Sequence, residues 1–143
     1  MLNTNTITTA VYRKLAADAE LTGLCTVFKG GRRPSNSPLP ALTIQTKRFE
    51  RGEGEGIWMC DIIVTVFAHT LENRMIDQET HDAAATRVRD ILDDAELDLD
   101  AGHAHPLIAG GMTEPEWNGR HDRETVQELT FGLVFLDFGA DAA

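Results

Sequence analysis

The stretch Ile57-Trp58-Met59-Cys60-Asp61-Ile62-Ile63-Val64-Thr65-Val66-Phe67-Ala68-His69 decides the fold of this chain. It is dense in β-branched and aromatic residues, which suit a pleated, half-buried strand better than a helix. Its two faces differ. Cys60, Ile62, Val64, Val66 and Ala68 form an unbroken apolar row, whereas Asp61, Thr65 and His69 interrupt the other. That alternation predicts a strand that meets helices on one side and is partly wet on the other, the habit of antiparallel sheets.

Upstream, Glu50-Arg51-Gly52-Glu53-Gly54-Glu55-Gly56 is too glycine-rich and charged for regular structure and reads as the turn of a hairpin. The strand paired through it is 41–49, where Leu42 and Ile44 alternate with Thr43 and Gln45. Before that, Gly30 to Pro40 holds three prolines and reads as an extended surface loop. Leu24-Cys25-Thr26-Val27-Phe28 reads as a strand. Ile7, Ala10, Val11 and Leu15 are spaced as one face of a helix, with Thr4, Asn5 or Thr6 as its N-cap.

Downstream, a second helix is predicted from about Asp77, its N-cap, to about Asp94, with Ala84, Val88, Ile91, Leu92 and Ala95 on one side. Residues 107–113 read as a short, glycine-weakened strand. Thr125 to Phe138 reads as a long final strand in which Leu129, Phe131, Leu133 and Phe135 alternate with Thr130 and Gly132. The expected order is α-β-β-β-α-β-β: an α+β domain with a mostly antiparallel sheet and two helices packed on one face.

The 143 residues suit one domain, 1–143, with a core over about 7–138. Apolar residues make up 42% and charged residues 25%, a balance that excludes wholesale disorder. No apolar run approaches the ~20 residues that span a bilayer, and Met1 to Thr6 lacks the pattern of a signal peptide, so a soluble, unexported chain without membrane partners is expected. Thirteen Lys and Arg against 23 Asp and Glu give a net charge of −10, which disfavours ordinary nucleic-acid binding. Two cysteines far apart, Cys25 and Cys60, read as reduced, inert core thiols with no catalytic histidine beside them.

The tightest cluster of potential ligands is Asp98 and Asp100 with His103 and His105, since a His-x-His pair on extended backbone presents both imidazoles to one side. It supports an alternative reading as a small metal-dependent enzyme. No third ligand at a standard spacing accompanies it, and solvated loop histidines are the simpler reading. His81 is expected at the rim of the core with a backbone partner, and His69 and His121 at strand ends. Asp61, Glu124 and Glu128 could be paired carboxylates if their strands were adjacent, but polar residues on the wet face of the sheet are the simpler reading. Gly52 to Gly56 precedes a strand rather than a helix and carries glutamates, which argues against phosphate binding. No catalytic, cofactor or metal residue is therefore assigned.

Two charge patterns remain. Asp90, Asp93, Asp94, Glu96, Asp98 and Asp100 crowd the end of the second helix, where the macrodipole disfavours anions. They are either a well-solvated end or acid kept to repel a polyanion that slides past. Arg32, Arg33, Lys47, Arg48 and Arg51 gather positive charge on the two loops bounding the second strand and are candidates to dock an acidic patch on a neighbouring copy.

Taken in order, the opening helix ending Leu15-Ala16-Ala17-Asp18-Ala19-Glu20-Leu21, the Pro38-Leu39-Pro40-Ala41-Leu42-Thr43-Ile44 strand entry and the hairpin into residues 58–67 form one arrangement. With the alanine-rich second helix and the closing Glu128-Leu129-Thr130-Phe131-Gly132-Leu133-Val134-Phe135 strand, it resembles the tail-terminator, or tail-completion, proteins of long-tailed bacteriophages and prophages. The resemblance runs from Ile7 to Phe138. It implies a structural virion protein without catalytic residues or cofactors, closing as a ring, commonly of six, on the last ring of tail tube protein and offering a surface to head connector proteins. Related connector and minor tail subunits share this look. The implied place is the head-proximal end of the virion tail, after assembly in the host cytoplasm, with DNA passing through the ring without specific binding. Asp93, Asp94, Asp98 and Asp100 are then candidates to line the bore with acid.

Overall fold

A computed structural model of the chain describes residues 3–52, 56–99, 103–119 and 121–136, the side chains at 48, 49, 103, 121 and 122 excepted. The elements run α1 (Thr4–Ala16), α2 (Ala19–Leu24), β1 (Thr26–Lys29), β2 (Ala41–Arg51), β3 (Ile57–His69), α3 (Gln78–Leu92), β4 (His103–Ala104), β5 (Ile108–Met112), β6 (Glu116–Asn118) and β7 (His121–Leu136). They form a seven-stranded sheet in the order β1-β2-β3-β7, beyond which β4, β5 and β6 each pair with β7. The expected α+β class, with a mostly antiparallel sheet, is what the chain adopts.

The deciding strand is β3. It pairs with β2 from Ala41↔Phe67 to Arg51↔Trp58 and with β7 from Ile57↔Leu136 to His69↔Glu124. Cys60, Ile62, Val64, Val66 and Ala68 are all buried, and in β7 Leu129, Phe131, Leu133 and Phe135 continue the same layer. On the opposite face Ile63, Thr65 and Phe67 are only half-buried and Met59 and His69 are exposed, the partial wetting that the alternation implied.

The helices cover the apolar face. α1 packs on β1 and β2, and α3 on β3 and β7. Ile7, Val11 and Leu15 of α1 meet Ala84, Val88 and Leu92 of α3 in one core with Leu42, Ile44 and the β3 and β7 rows. The N-cap of α1 is Asn3, one residue before the expected Thr4–Thr6 window, because its Oδ1 accepts the Thr6 N–H at 2.9 Å. Asp77 caps α3 as expected, its carboxylate accepting the Thr80 N–H at 3.1 Å and the Thr80 hydroxyl at 2.7 Å.

Several elements differ from the sequence reading. The segment 19–24 is a short helix of its own, capped by Asp18, so the following strand starts at Thr26 rather than Leu24. Tertiary pairing explains this helix: Arg87 Nε and Nη2 of α3 donate to both Asp18 carboxylate oxygens, at 3.1 and 2.5 Å. β2 runs to Arg51, so Lys47, Arg48 and Arg51 lie on a strand and not on a loop, because β3 supplies partners as far as Trp58. The turn at 53–55 lies outside the described residues. β7 starts at His121, four residues early, since β6 pairs with its first residues.

The exception to antiparallel pairing is β1, which runs parallel to β2 from Thr26↔Ala41 to Lys29↔Ile44. Two adjacent parallel strands need a return crossing. The 30–40 segment makes it, and Gly30 opens it at φ 100°, a conformation that strains any side chain with a Cβ. Arg33 of this crossing lies with its guanidinium carbon 4.7 Å from the Phe67 ring centre and pairs with Glu124 of β7, so the loop lies over the helix-free face.

Candidate functional site

The residue types that carry chemistry are dispersed and mostly tied into the fold. Cys25 and Cys60 are free and buried. Burial pushes the Cys25 thiol up to about 11; burial, with the neighbouring Asp61 charge, pushes Cys60 up to about 12. Both are poor nucleophiles at neutral pH, as the sequence implied.

His81 is wholly buried rather than at the rim, and its partner is a side chain, not the backbone: Nε2 lies 2.7 Å from Thr125 Oγ1 of β7. Desolvation lowers its pKa, opposed by the charges of Asp77 and Asp82 and by the Gln127 side chain. Thr125 and Gln127 are buried with it, and Gln127 Nε2 donates to the Thr113 carbonyl at 3.0 Å. This polar row fastens α3 and the 113–115 segment to β7 and has no opening to solvent at His81.

The three candidate carboxylates on the sheet are kept apart by register. Asp61 sits opposite Gly132, Glu128 opposite Thr65 and Glu124 opposite His69, so no two of them share a rung. Glu124 is taken up by Arg33 and by the Asn118 side-chain amide at 3.2 Å. Among the described residues, no group of three or more His, Cys, Asp or Glu is placed to hold a metal ion. Asp100 and the side chain of His103 lie outside the described residues; His105 is exposed, its N–H donating to the Val134 carbonyl at 2.9 Å. Among the described residues no helix is long and apolar enough to cross a membrane.

The acidic run divides into separate parts. α3 stops at Leu92, and Asp94 at φ 62° turns the chain so that its N–H donates to the Leu107 carbonyl at 2.8 Å. Asp93 faces β5, its Oδ1 accepting the Ala109 N–H at 3.3 Å. Asp90, Asp94, Glu96 and Asp98 are exposed, while Leu97 between them is buried. Beyond Leu92 the chain is held to residues 107–109 by these bonds, while its carboxylates stay largely exposed.

On the basic side, Arg33 spends its charge within the chain on Glu124. Arg51 is exposed with its guanidinium carbon 5.9 Å from the Trp58 ring centre, and Lys29, Arg32 and Lys47 are exposed. The side chain of Arg48 is outside the described residues.

One surface had no signal in the sequence. Ile108 is 65% exposed, Met112 48% and Trp117 46%, all along the β5–β6 edge beside the exposed Glu114 and Glu116. Residues 113–119 show no alternation, so nothing there tells an exposed Trp from a core one. What the molecule offers is therefore two contrasting sheet edges, basic at β1–β2 and acidic with apolar residues at β5–β6.

No curated protein matches this chain. Among solved structures, it is similar to a chain in the virion of a native gene transfer agent particle, at TM-score 0.69 and 22% identity, over 91% of this chain and 94% of that one. The tail completion protein gp17 family matches residues 9–125, a span that runs from α1 into β7 and takes in both sheet edges. This chain belongs to the tail completion protein gp17 family.

Proposed function

We propose that this protein closes as a ring, of six subunits on the family resemblance, on the last ring of tail tube protein, ends its polymerisation and offers the surface on which the head connector docks. The observation that carries the reading is the family match across 9–125. The likeness to a chain of a virion supports it. A ring is a heterologous assembly that closes, so each subunit needs two unlike surfaces, and the contrasting edges of this sheet meet that need. The ring occupies the head-proximal end of the virion tail and assembles in the host cytoplasm.

Genome passes through such a bore, and an acidic lining keeps DNA from adhering to it. Asp94 and Asp98, exposed beyond α3, are the described residues proposed for that lining. Asp100 belongs to the same proposal by sequence, and Asp93 fits it less well because its carboxylate is held at β5.

Purified tail tube protein polymerising in the presence of this chain should stop at short, fixed lengths; unchanged elongation overturns the reading. Particles carrying Asp94→Asn and Asp98→Asn should assemble normally and eject DNA more slowly. Wild-type ejection rates remove the acidic lining from the account.

A further inference from the structure

The sheet register places the two contrasting edges at the ends of the same rows. Lys47 of β2 stands opposite Asp61, Asp61 opposite Gly132, and Gly132 opposite Ile108 of β5. A second row, three residues along β3, runs from Lys29 of β1 through Ile44, Val64 and Leu129 to Met112. Each row begins at an exposed lysine and ends at a large, exposed apolar residue. Because the rows are an odd number of residues apart along β3, one does so on the helix-free face and the other on the helix-bearing face.

Charge leans the same way. Lys29, Arg32, Lys47 and Arg51 lie at the β1–β2 edge, where Glu50 is the exposed acid on β2, and Asp93, Glu114, Glu116 and Glu128 lie at or beside the β5–β6 edge, where Arg89 of α3 stands beside Met112. Beyond Ile44, no described strand covers the outer side of β2. Isolated exposed apolar residues need no partner, but apolar residues grouped on one edge and rimmed by acid, with matching lysines at the same height on the other, are complementary. Lysine stems cover apolar surface while their ammonium groups reach outward to carboxylates.

We propose that copies of this chain join head to tail through these edges, Ile108 and Met112 of one copy seated against the stems of Lys47 and Lys29 of the next. Asp93, Glu114 and Glu128 receive the ammonium groups. The contact uses two unlike surfaces, so repeated around an axis it closes a ring. A neighbour placed by rotation about that axis, without sliding along its strands, brings the row ends level. The inference rests on the ring reading and names the surfaces that make it.

Cysteine pairs test it. Within one chain Lys47 and Ile108 are separated by three strand spacings of about 4.8 Å, roughly 14 Å in all, beyond the ~7 Å limit for a disulfide. Any bond between Lys47→Cys and Ile108→Cys therefore joins two copies. The native cysteines are buried and stay silent. The full-length double variant, oxidised alone and on tail tubes, should give a ladder of covalent multimers, and a mixture of the two single variants should give heterodimers. Lys47→Glu should weaken association about tenfold and Glu114→Lys in the partner copy should restore most of it.

Homodimers from Ile108→Cys alone mean a like-with-like contact and overturn the proposal. Rings seen by native mass spectrometry without these cross-links overturn the assigned surfaces and leave the ring reading standing. Absence of any multimer, on tubes or off, sinks both.

Discussion

His81 sits on α3 with no exposed surface and Nε2 2.7 Å from Thr125 Oγ1, while its Nδ1 and the Oε1 of Gln127 are buried without a hydrogen-bond partner. Burial lowers its pKa from the ordinary 6.5, against the pull of Asp77, Gln127 and Asp82. The ring thus stays neutral in the folded protein through a range where an unfolded histidine takes up a proton. The unfolded state then binds more protons, and stability rises with pH across that window. This contribution is complete above about pH 6.5 and is lost as pH falls toward the lower folded value. Urea unfolding at pH 7.5 and 5.5 should show the loss, and His81→Gln should flatten the difference. Equal pH slopes in the two proteins would remove His81 from the account. The sequence placed His81 by its helical spacing but gave it the wrong depth and partner. Its burial depends on Thr125 and Gln127 arriving beside it from β7, some forty residues on, and no local pattern encodes that.

At the scale of elements, β3 and β7 carry the fold, and α3 is fixed to them by a cap at one end and a core face along its side. Asp77→Ala removes the acceptor for the Thr80 N–H and hydroxyl and should cost about 1 kcal/mol. Phe131→Ala opens a void in the centre of the layer and should cost about 3–5 kcal/mol, a large part of the stability of a domain this size. Denaturant midpoints rank the two: a Phe131 variant no worse than the Asp77 variant would contradict the placement of Phe131. Both α3 and β3 were legible because a long amphipathic period and a dense β-branched run are local signals. The local pattern marks both ends of β3, 57–69, and the Asp77 cap of α3. What the sequence hid was decided by partners. Residues 19–24 fold as a helix against Arg87, β2 stays extended to Arg51 because β3 faces it, and 116–118 form a strand because β7 is there to receive them. The contrasting edges were half legible: the basic residues stood out as a cluster, whereas Ile108, Met112 and Trp117 read as ordinary apolar residues until the sheet left them outside.

At the scale of the whole molecule, a net charge of −10 is unevenly spread, with most of the exposed bases of the sheet at its β1–β2 edge and exposed apolar residues with several acids at its β5–β6 edge. If copies join through these edges as proposed, their association should weaken as salt screens the exposed charges. The chain's membership of the tail completion protein gp17 family is consistent with the proposed use of these edges. Electron microscopy of tail tubes incubated with the protein tests the central claim most directly. Tubes of uniform length bearing one additional ring at a single end are the expected result, and tubes of unaltered length with bare ends would contradict it.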